Sequence, residues 1–174
     1  FHAVDRHSAA RRNDRALVYS STETNEEKVY SFAGLQREVE RMAAIYRELG
    51  VKRGDRVLIY MPNMAEAVFA MLACARIGAI HSVVFGGFAA NSIADRVSDC
   101  GSKLVITADE GLRGSKKVPL KANVDAALKM PGTDTVETVL VLRHTGGAVD
   151  MQAPRDRWFH DVVDGQPAQC EPER

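Results

Sequence analysis

The chain has 174 residues, of which 45% are hydrophobic and 26% are charged, as in an ordinary globular domain. Its 23 basic and 23 acidic residues cancel, and this balance argues against a nucleic-acid partner, because nucleic-acid-binding domains are distinctly basic. No apolar run in the sequence reaches the roughly 18 residues that span a membrane, so we expect no membrane partner either.

The first part of the chain is predicted to form a short helix, a hairpin and an amphipathic helix. Residues 4–10 are compatible with the short helix. Two apolar runs, 16–20 and 28–32, flank a polar and acidic stretch, which is typical of two strands joined by an exposed turn. From residue 32 to 49 apolar side chains recur at spacings of three and four. This pattern predicts a helix that begins after an N-cap at Ser31.

A strand, a helix and a second strand are predicted next. Residues 56–61 form an almost continuous apolar run, which predicts a buried strand. Asn63 and Glu66 have the spacing of a capping box, and the helix that they would open is apolar on nearly all sides. Gly78 fits the left-handed cap of that helix, and residues 79–84 then predict a second buried strand.

The same alternation continues through the second half of the chain. We predict helices at 92–99 and 120–130, strands at 103–107 and 138–142, and a short aromatic element at 158–163. The strands are apolar on both faces and follow one another at the spacing of βαβ units, which favours a parallel sheet covered on both sides. The predicted fold class is therefore α/β, with a mostly parallel sheet and helices on both faces.

The turn Phe85-Gly86-Gly87-Phe88 directly follows a predicted strand. Two residues without a Cβ let a ligand approach the main chain, and open α/β sheets bind ligands beyond the carboxyl ends of their strands. Phe85 would offer a ring for stacking. The alternative is a tight turn whose aromatic rings fill the core, and the pattern alone leaves both interpretations open.

A basic stretch, residues 109–117, follows the next strand of the predicted sheet and therefore reaches the same edge. It brings Arg113, Lys116 and Lys117 together beside a glycine and a serine, a composition suited to holding one phosphate. A solvated charged loop is the alternative. It is not a Walker phosphate loop, because the sequence has no Gly-x-x-x-x-Gly-Lys-Ser/Thr.

Motifs for several other chemistries are missing from the sequence. It contains no Gly-x-Gly-x-x-Gly, no Gly-x-Ser-x-Gly and no His-Glu-x-x-His, and its five histidines are scattered. We therefore predict neither a catalytic residue nor a metal site in this chain. His81 is expected to be a hydrogen-bonded core residue, and Arg155, Asp156 and Arg157 are expected to form surface ion pairs.

The three cysteines, Cys74, Cys100 and Cys170, have the spacing of neither a disulfide framework nor a zinc site. We therefore expect a reducing compartment, namely the cytoplasm, or the mitochondrial matrix in a eukaryote. Cys74 lies in an apolar run, where a buried and unreactive thiol is expected. Because the chain begins with Phe1 and shows no signal segment, we also expect an internal piece of a longer protein, or a chain whose ends are missing.

Six segments of the sequence resemble the short-chain acyl-CoA synthetases, the acetyl- and propionyl-CoA synthetases of the adenylate-forming (AMP-binding) superfamily. The resemblance covers residues 5–162 and is densest over 71–88. The remaining segments are 49–57, 59–62, 99–111, 118–125 and 143–147.

The resemblance implies a two-step ligase reaction. Such enzymes join a carboxylate to ATP, which gives an acyl-adenylate and pyrophosphate, and then transfer the acyl group to coenzyme A (CoA) with release of AMP. Residues 20–27 look more like propionyl-CoA synthetases, whereas 99–125 look more like acetyl-CoA synthetases. We therefore favour acetate as the acid, with propionate second.

The resemblance also implies the site residues. The Phe85-Gly86-Gly87 turn would be the platform for the nucleotide end of CoA, and Arg113 and Lys116 would bind its phosphates. The family often has arginine at the second position, so Lys116 should keep the charge but lose the bidentate geometry. Lys117 is a possible further ligand of a CoA phosphate.

Finally, the resemblance implies that residues 1–174 form a single subdomain, the first of the large N-terminal domain of such an enzyme. In the family the loop around the ATP phosphates, the acyl pocket and the small C-terminal domain come later, so ATP and Mg²⁺ would bind mainly outside this chain. We expect the remainder of the enzyme chain as its partner and no activity from this part alone. Two alternatives stay open: a stand-alone α/β module that binds a nucleotide or phosphate without ligase activity, and a non-catalytic interaction domain.

Overall fold

The computed structural model describes residues 1–163 and 169–173, and within these ranges it contains nine strands and six helices. The elements predicted from the sequence are all present, most of them to within a few residues. In chain order the elements are α1 (Asp5–Ala10), β1 (Arg15–Ser21), β2 (Glu26–Ser31), α2 (Phe32–Glu48), β3 (Arg56–Met61), α3 (Ala65–Arg76), β4 (Ile80–Phe85), α4 (Ala90–Cys100), β5 (Leu104–Ala108), β6 (Gly111–Arg113), β7 (Lys116–Val118), α5 (Leu120–Ala127), β8 (Thr138–Leu142), β9 (Asp156–Trp158) and α6 (Phe159–Val163).

Five of the strands form one parallel sheet in the order β4-β3-β5-β8-β9. The side chains of β3, β5 and β8 are almost all buried, because these central strands are apolar on both faces. In register, Ile59 of β3 lies between Val83 of β4 and Ile106 of β5. β9 is a strand that the sequence does not predict, since two of its three residues, Asp156 and Arg157, are charged.

Helices cover both faces of this sheet. α3 connects β3 to β4 towards one edge of the sheet, whereas α4 connects β4 to β5 in the opposite direction across the sheet. Because both crossovers are right-handed, the two helices lie on opposite faces. α2 packs on α3, and α5 packs on α4. The predicted α/β class is confirmed. Among the residues described, no helix has the length and apolar character that crossing a membrane requires.

β4 lies at the edge of the sheet, and the prediction of a buried strand is wrong here. Ile80 and Val83 keep more than half of their surface exposed, and His81 is also exposed rather than part of the core. In the described part of the chain β4 pairs with β3 alone. An apolar run shows that a strand forms, but its position in the sheet depends on the order of the strands.

The starts of the two longer helices differ from each other. Ser31 caps α2 as predicted, because its hydroxyl accepts a hydrogen bond from the Gly34 N–H at 3.1 Å. The predicted capping box at Asn63 and Glu66 is wrong, since the N-cap of α3 is Met64 and no side chain caps it. Gly78 does have the predicted left-handed conformation, with φ of +69°.

The predicted surface ion pairs around Arg155 and Asp156 are instead part of a buried network. The ammonium of Lys121 is fully buried and lies 2.7 Å from the carboxylate of Asp125 and 2.7 Å from that of Asp156. The guanidinium of Arg155 contacts the same two carboxylates at 2.7 and 2.6 Å. Only Arg157 of the predicted set is an exposed side chain. A buried charge needs such partners, and here they join α5 to β9.

A second buried charge, Arg76, ties the end of α3 to three other segments. Its guanidinium lies 2.8 Å from Asp5 of α1 and 2.7 Å from Glu40 of α2, and it donates a hydrogen bond to the carbonyl of Cys170. Cys74, two residues earlier in the same helix, is fully buried as predicted.

Candidate functional site

A pocket of about 190 Å³ opens where β3, β4 and β5 end. Because these strands are parallel, their carboxyl ends meet at one edge of the sheet, which is where open α/β sheets bind ligands. The predicted turn and the predicted basic stretch therefore do come together. Among the lining residues are Glu23, Met61, Phe85, Gly87, Arg113 and His144.

The Phe-Gly-Gly-Phe turn is anchored from below by Tyr60. This side chain is fully buried in β3, and its hydroxyl donates to the carbonyl of Phe88 at 2.7 Å and also approaches that of Gly86 at 3.2 Å. The Asn123 amide donates to the same hydroxyl at 3.1 Å. Burial raises the pKa of Tyr60, which keeps the phenol protonated as a donor. The main chain of the turn is thus held while its outer face stays open.

The two glycines of the turn leave no free space for a Cβ unless a neighbour moves. A Cβ on Gly87 would lie 2.6 Å from the Phe85 ring and 3.4 Å from the Arg113 guanidinium. A Cβ on Gly86 would lie 3.1 Å from the carbonyl oxygen of Met61. The ring of Phe85, 56% exposed, therefore lies across Gly87 with a cation beside it. The alternative in which the aromatic rings of the turn fill the core is therefore wrong, because Phe85 lines the pocket and both Phe85 and Phe88 are more than half exposed.

The predicted basic loop is in fact a small antiparallel hairpin made by β6 and β7. Arg113 and Lys116 are paired across it, and Gly114 at its turn has φ of +60°. The Gly114 N–H donates to the carboxylate of Glu23 at 3.0 Å, so the first hairpin of the chain holds the second. Strands of three residues pair only when neighbouring segments hold them in place. The composition of residues 109–117 does not reveal those neighbours, so the sequence does not predict the hairpin.

The three predicted cations of this hairpin are not equivalent. Arg113 lines the pocket, whereas Lys116 lies opposite it on β7 and outside the lining. The Lys117 ammonium lies 2.9 Å from the carboxylate of Glu110, in an exposed ion pair. Hydrogen bonds from Lys117 and Thr145 lower the pKa of Glu110. Lys117 is therefore already partnered, and its role with a phosphate stays a prediction.

Sequence reasoning missed several contributors to the pocket. The tip of the first hairpin supplies Ser21 and Glu23, and no local pattern links that tip to the sheet edge. His144 lines the pocket from the loop after β8. Its position is detectable in principle, because the residues just beyond a parallel strand reach this edge.

The sheet order and the pocket beyond its strands, lined by three glycines and by Arg113, define an α/β domain of the kind that binds ligands at the carboxyl edge of a parallel sheet. Comparison with protein families makes the class specific. Residues 4–173 match the family described as AMP-binding enzyme. The chain belongs to that family.

Individual relatives agree with this membership. The chain is 67% identical over 172 residues to the acetyl-coenzyme A synthetase of Xanthomonas campestris and 59% identical over 173 residues to that of Xylella fastidiosa strain Temecula1. In each case 98% of this chain is covered but only 27% of the relative. The chain therefore spans about a quarter of the length of these curated relatives.

A solved structure shows the same fold. The acetoacetyl-CoA synthetase from Streptomyces lividans superposes with a TM-score of 0.84 at 28% sequence identity, over 99% of this chain and 25% of that one.

Proposed function

We propose that this chain is part of an AMP-forming acyl-CoA ligase and supplies part of its CoA site. In the first half-reaction an oxygen of the acid's carboxylate attacks the α-phosphorus of ATP and displaces pyrophosphate. In the second, the CoA thiol loses its proton and attacks the acyl carbon, which displaces AMP. The observation that carries the proposal is the juxtaposition of Arg113 with the Phe85-Gly86-Gly87 turn at the mouth of one pocket.

Each of these groups suits one part of CoA. The exposed ring of Phe85 presents a face on which an adenine stacks. Gly86 and Gly87 leave the main chain beside it open. The guanidinium of Arg113 binds a phosphate with two parallel hydrogen bonds, and Lys116 across the hairpin adds a point charge. Lys117 joins them only if its ammonium leaves Glu110.

The acid is proposed to be acetate, with propionate second. The curated relatives at 67% and 59% identity are named acetyl-coenzyme A synthetases, and this supports acetate. The groups that contact the acid are proposed to lie in the remainder of the enzyme chain.

We further propose that residues 1–174 form a single N-terminal subdomain whose partner is the remainder of its own enzyme chain. ATP and Mg²⁺ would be bound mainly by that remainder, and this part alone would be inactive and would contribute no catalytic residue. The site of action would be the cytoplasm. The chain covers about a quarter of each relative, and this supports the proposal that the remainder of the enzyme carries the other sites.

The experiment is steady-state kinetics of the full-length protein and of its Arg113→Ala, Lys116→Ala double variant. The KM for CoA should rise at least tenfold, while acid-dependent exchange of pyrophosphate into ATP, which needs no CoA, changes little. The control is Arg96→Ala with Lys129→Ala, which removes two exposed cations elsewhere. Acid-dependent exchange that is absent from the wild type would reject the ligase, and an unchanged KM for CoA would reject the site.

A further inference from the structure

The side chain of Asp109 is fully buried just beyond β5 and accepts four main-chain hydrogen bonds. Its Oδ1 accepts from the N–H groups of Glu110 at 2.7 Å, His144 at 2.8 Å and Thr145 at 3.2 Å. Its Oδ2 accepts from the N–H of Gly146 at 2.8 Å. A carboxylate suits this position because both of its oxygens accept and neither donates. Three of the four donors belong to one loop, the residues that follow β8.

This loop reaches the pocket without regular secondary structure to hold it. β8 ends at Leu142, and two residues later His144 lines the pocket together with Phe85 and Arg113. Besides Asp109, the loop is tied by the Thr145 hydroxyl, which donates to the Glu110 carboxylate at 2.7 Å. The main chain of residues 144–146 is therefore held in place by Asp109 and Glu110, the two residues that follow β5.

We infer that Asp109 is a positioning residue of the CoA pocket, acting through the loop that carries His144. Asp109 is not itself a lining residue, so its effect on a ligand must pass through the groups it holds. By fixing three successive N–H groups it fixes where the His144 ring stands relative to the Phe85 platform. This inference rests on the proposed function, which assigns the pocket to CoA.

The test is Asp109→Asn in the full-length protein. An amide replaces one accepting oxygen with an NH₂ group, so at least one of the four N–H groups then faces a donor and the loop shifts. The KM for CoA should rise about tenfold, and acid-dependent pyrophosphate exchange should change less than about twofold. Asp95→Asn, at an exposed carboxylate of α4, is the matched control and should alter neither quantity.

A double variant tests whether Asp109 acts through His144. His144→Ala alone should raise the KM for CoA, and adding Asp109→Asn to it should raise the KM little further, because the ring that the loop positions is already gone. Additive effects would overturn the inference, and so would an equal fall in exchange and in CoA-dependent turnover.

Two further outcomes keep this test separate from that of the proposed function. A wild type without acid-dependent exchange rejects the ligase and, with it, the CoA pocket. Exchange that is present, together with an unchanged KM for CoA in Asp109→Asn, overturns the positioning role alone. If Asp109→Asn does not fold, Thr145→Val removes one hydrogen bond from the same loop. A KM for CoA raised about threefold then supports the inference, and an unchanged KM overturns it.

Discussion

The ammonium of Lys121 and the carboxylate of Asp156 lie 2.7 Å apart, and neither side chain has any exposed surface. Lys121 is in the first turn of α5, and Asp156 begins β9, the last strand of the sheet. The Lys121 ammonium also donates to the Asp150 carbonyl at 2.9 Å. β9 is therefore held to the rest of the protein by this ion pair as well as by its parallel pairing with β8.

Replacing Lys121 by Met should destabilise the protein severely. It leaves Arg155 as the one cation, among the described residues, beside the carboxylates of Asp125 and Asp156, and losing one member of a buried ion pair costs about 3–5 kcal/mol. The measurement is the free energy of unfolding of the full-length protein by urea denaturation. Lys103→Met is the control, because it breaks a partly exposed pair with Asp55 and should cost below about 1 kcal/mol. Equal losses in the two variants would contradict this prediction.

The stability of this network should depend on pH in the acidic range. Burial alone would raise the pKa of Asp156, but hydrogen bonds from Arg155, Lys121 and the Gln152 N–H outweigh burial, so the pKa lies below its ordinary value of 3.8. A carboxylate whose pKa is lower in the folded protein stabilises the fold fully above its unfolded pKa, and the contribution is lost as the pH falls through the folded pKa.

The free energy of unfolding should therefore decrease as the pH is lowered from about 5 to 3. In Asp156→Asn the decrease should be shallower, because the amide does not titrate. Urea denaturation at several pH values measures both slopes, and parallel curves for the two proteins would show that Asp156 contributes nothing to the dependence.

Gly87→Ala should alter the pocket without unfolding the protein. The new Cβ would lie 2.6 Å from the Phe85 ring, which is more than half exposed and is free to swing away. Under the proposed function, the displaced ring loses its stacking contact and the KM for CoA rises about threefold to tenfold. Gly34→Ala is the control, since its Cβ would meet only ordinary contact, 3.5 Å from the Ser31 hydroxyl. A KM for CoA that stays at the wild-type value in Gly87→Ala would argue against the platform.

The cysteines should react with alkylating reagents in a defined order. Burial raises the pKa of the Cys74 thiol to about 12, and burial raises that of Cys170 as well. Cys100 is more exposed than either. At pH 8 iodoacetamide should label Cys100 first and leave Cys74 unlabelled until the protein is denatured, as measured by mass spectrometry of the peptides. Early labelling of Cys74 in the native protein would contradict its burial.

Sequence patterns predict the middle of this fold well, for a physical reason. β3 and β8 have the predicted bounds, because strands buried on both faces are apolar throughout and leave a local signal. The exposure of β4 is not local information, since the same apolar run is buried or exposed depending on what lies beside it. The capping box at Asn63 fails for a related reason: its spacing is local, but whether the side chain reaches the helix end depends on the path of the chain from β3.

The candidate site likewise combines residues that the local sequence predicts with residues that only tertiary packing brings in. The turn at Phe85 and the cation at Arg113 are predictable, because each follows a strand of one parallel sheet and such ends converge. Glu23 comes from a hairpin distant in sequence, and its contact with Gly114 follows from tertiary packing alone. Asp109 is visible in the sequence as an acidic residue after a strand, but its four bonds to two separate segments are not. The buried pairing of Arg155 and Asp156 is likewise invisible, since a run of charges is usually solvated.

The order of the strands has a consequence for how the protein is made. Of the five strands in the parallel sheet, β3 is synthesised first. β4 then adds on one side of β3, and β5, β8 and β9 add in turn on the other side. In the described sheet no strand has to insert between two that are already paired, so the sheet is able to grow outward while the chain leaves the ribosome. Lys121 emerges before Asp156, and its ammonium gains its last carboxylate only when β9 docks. Burial of that charge thus marks the point in synthesis at which the five described strands are all in place.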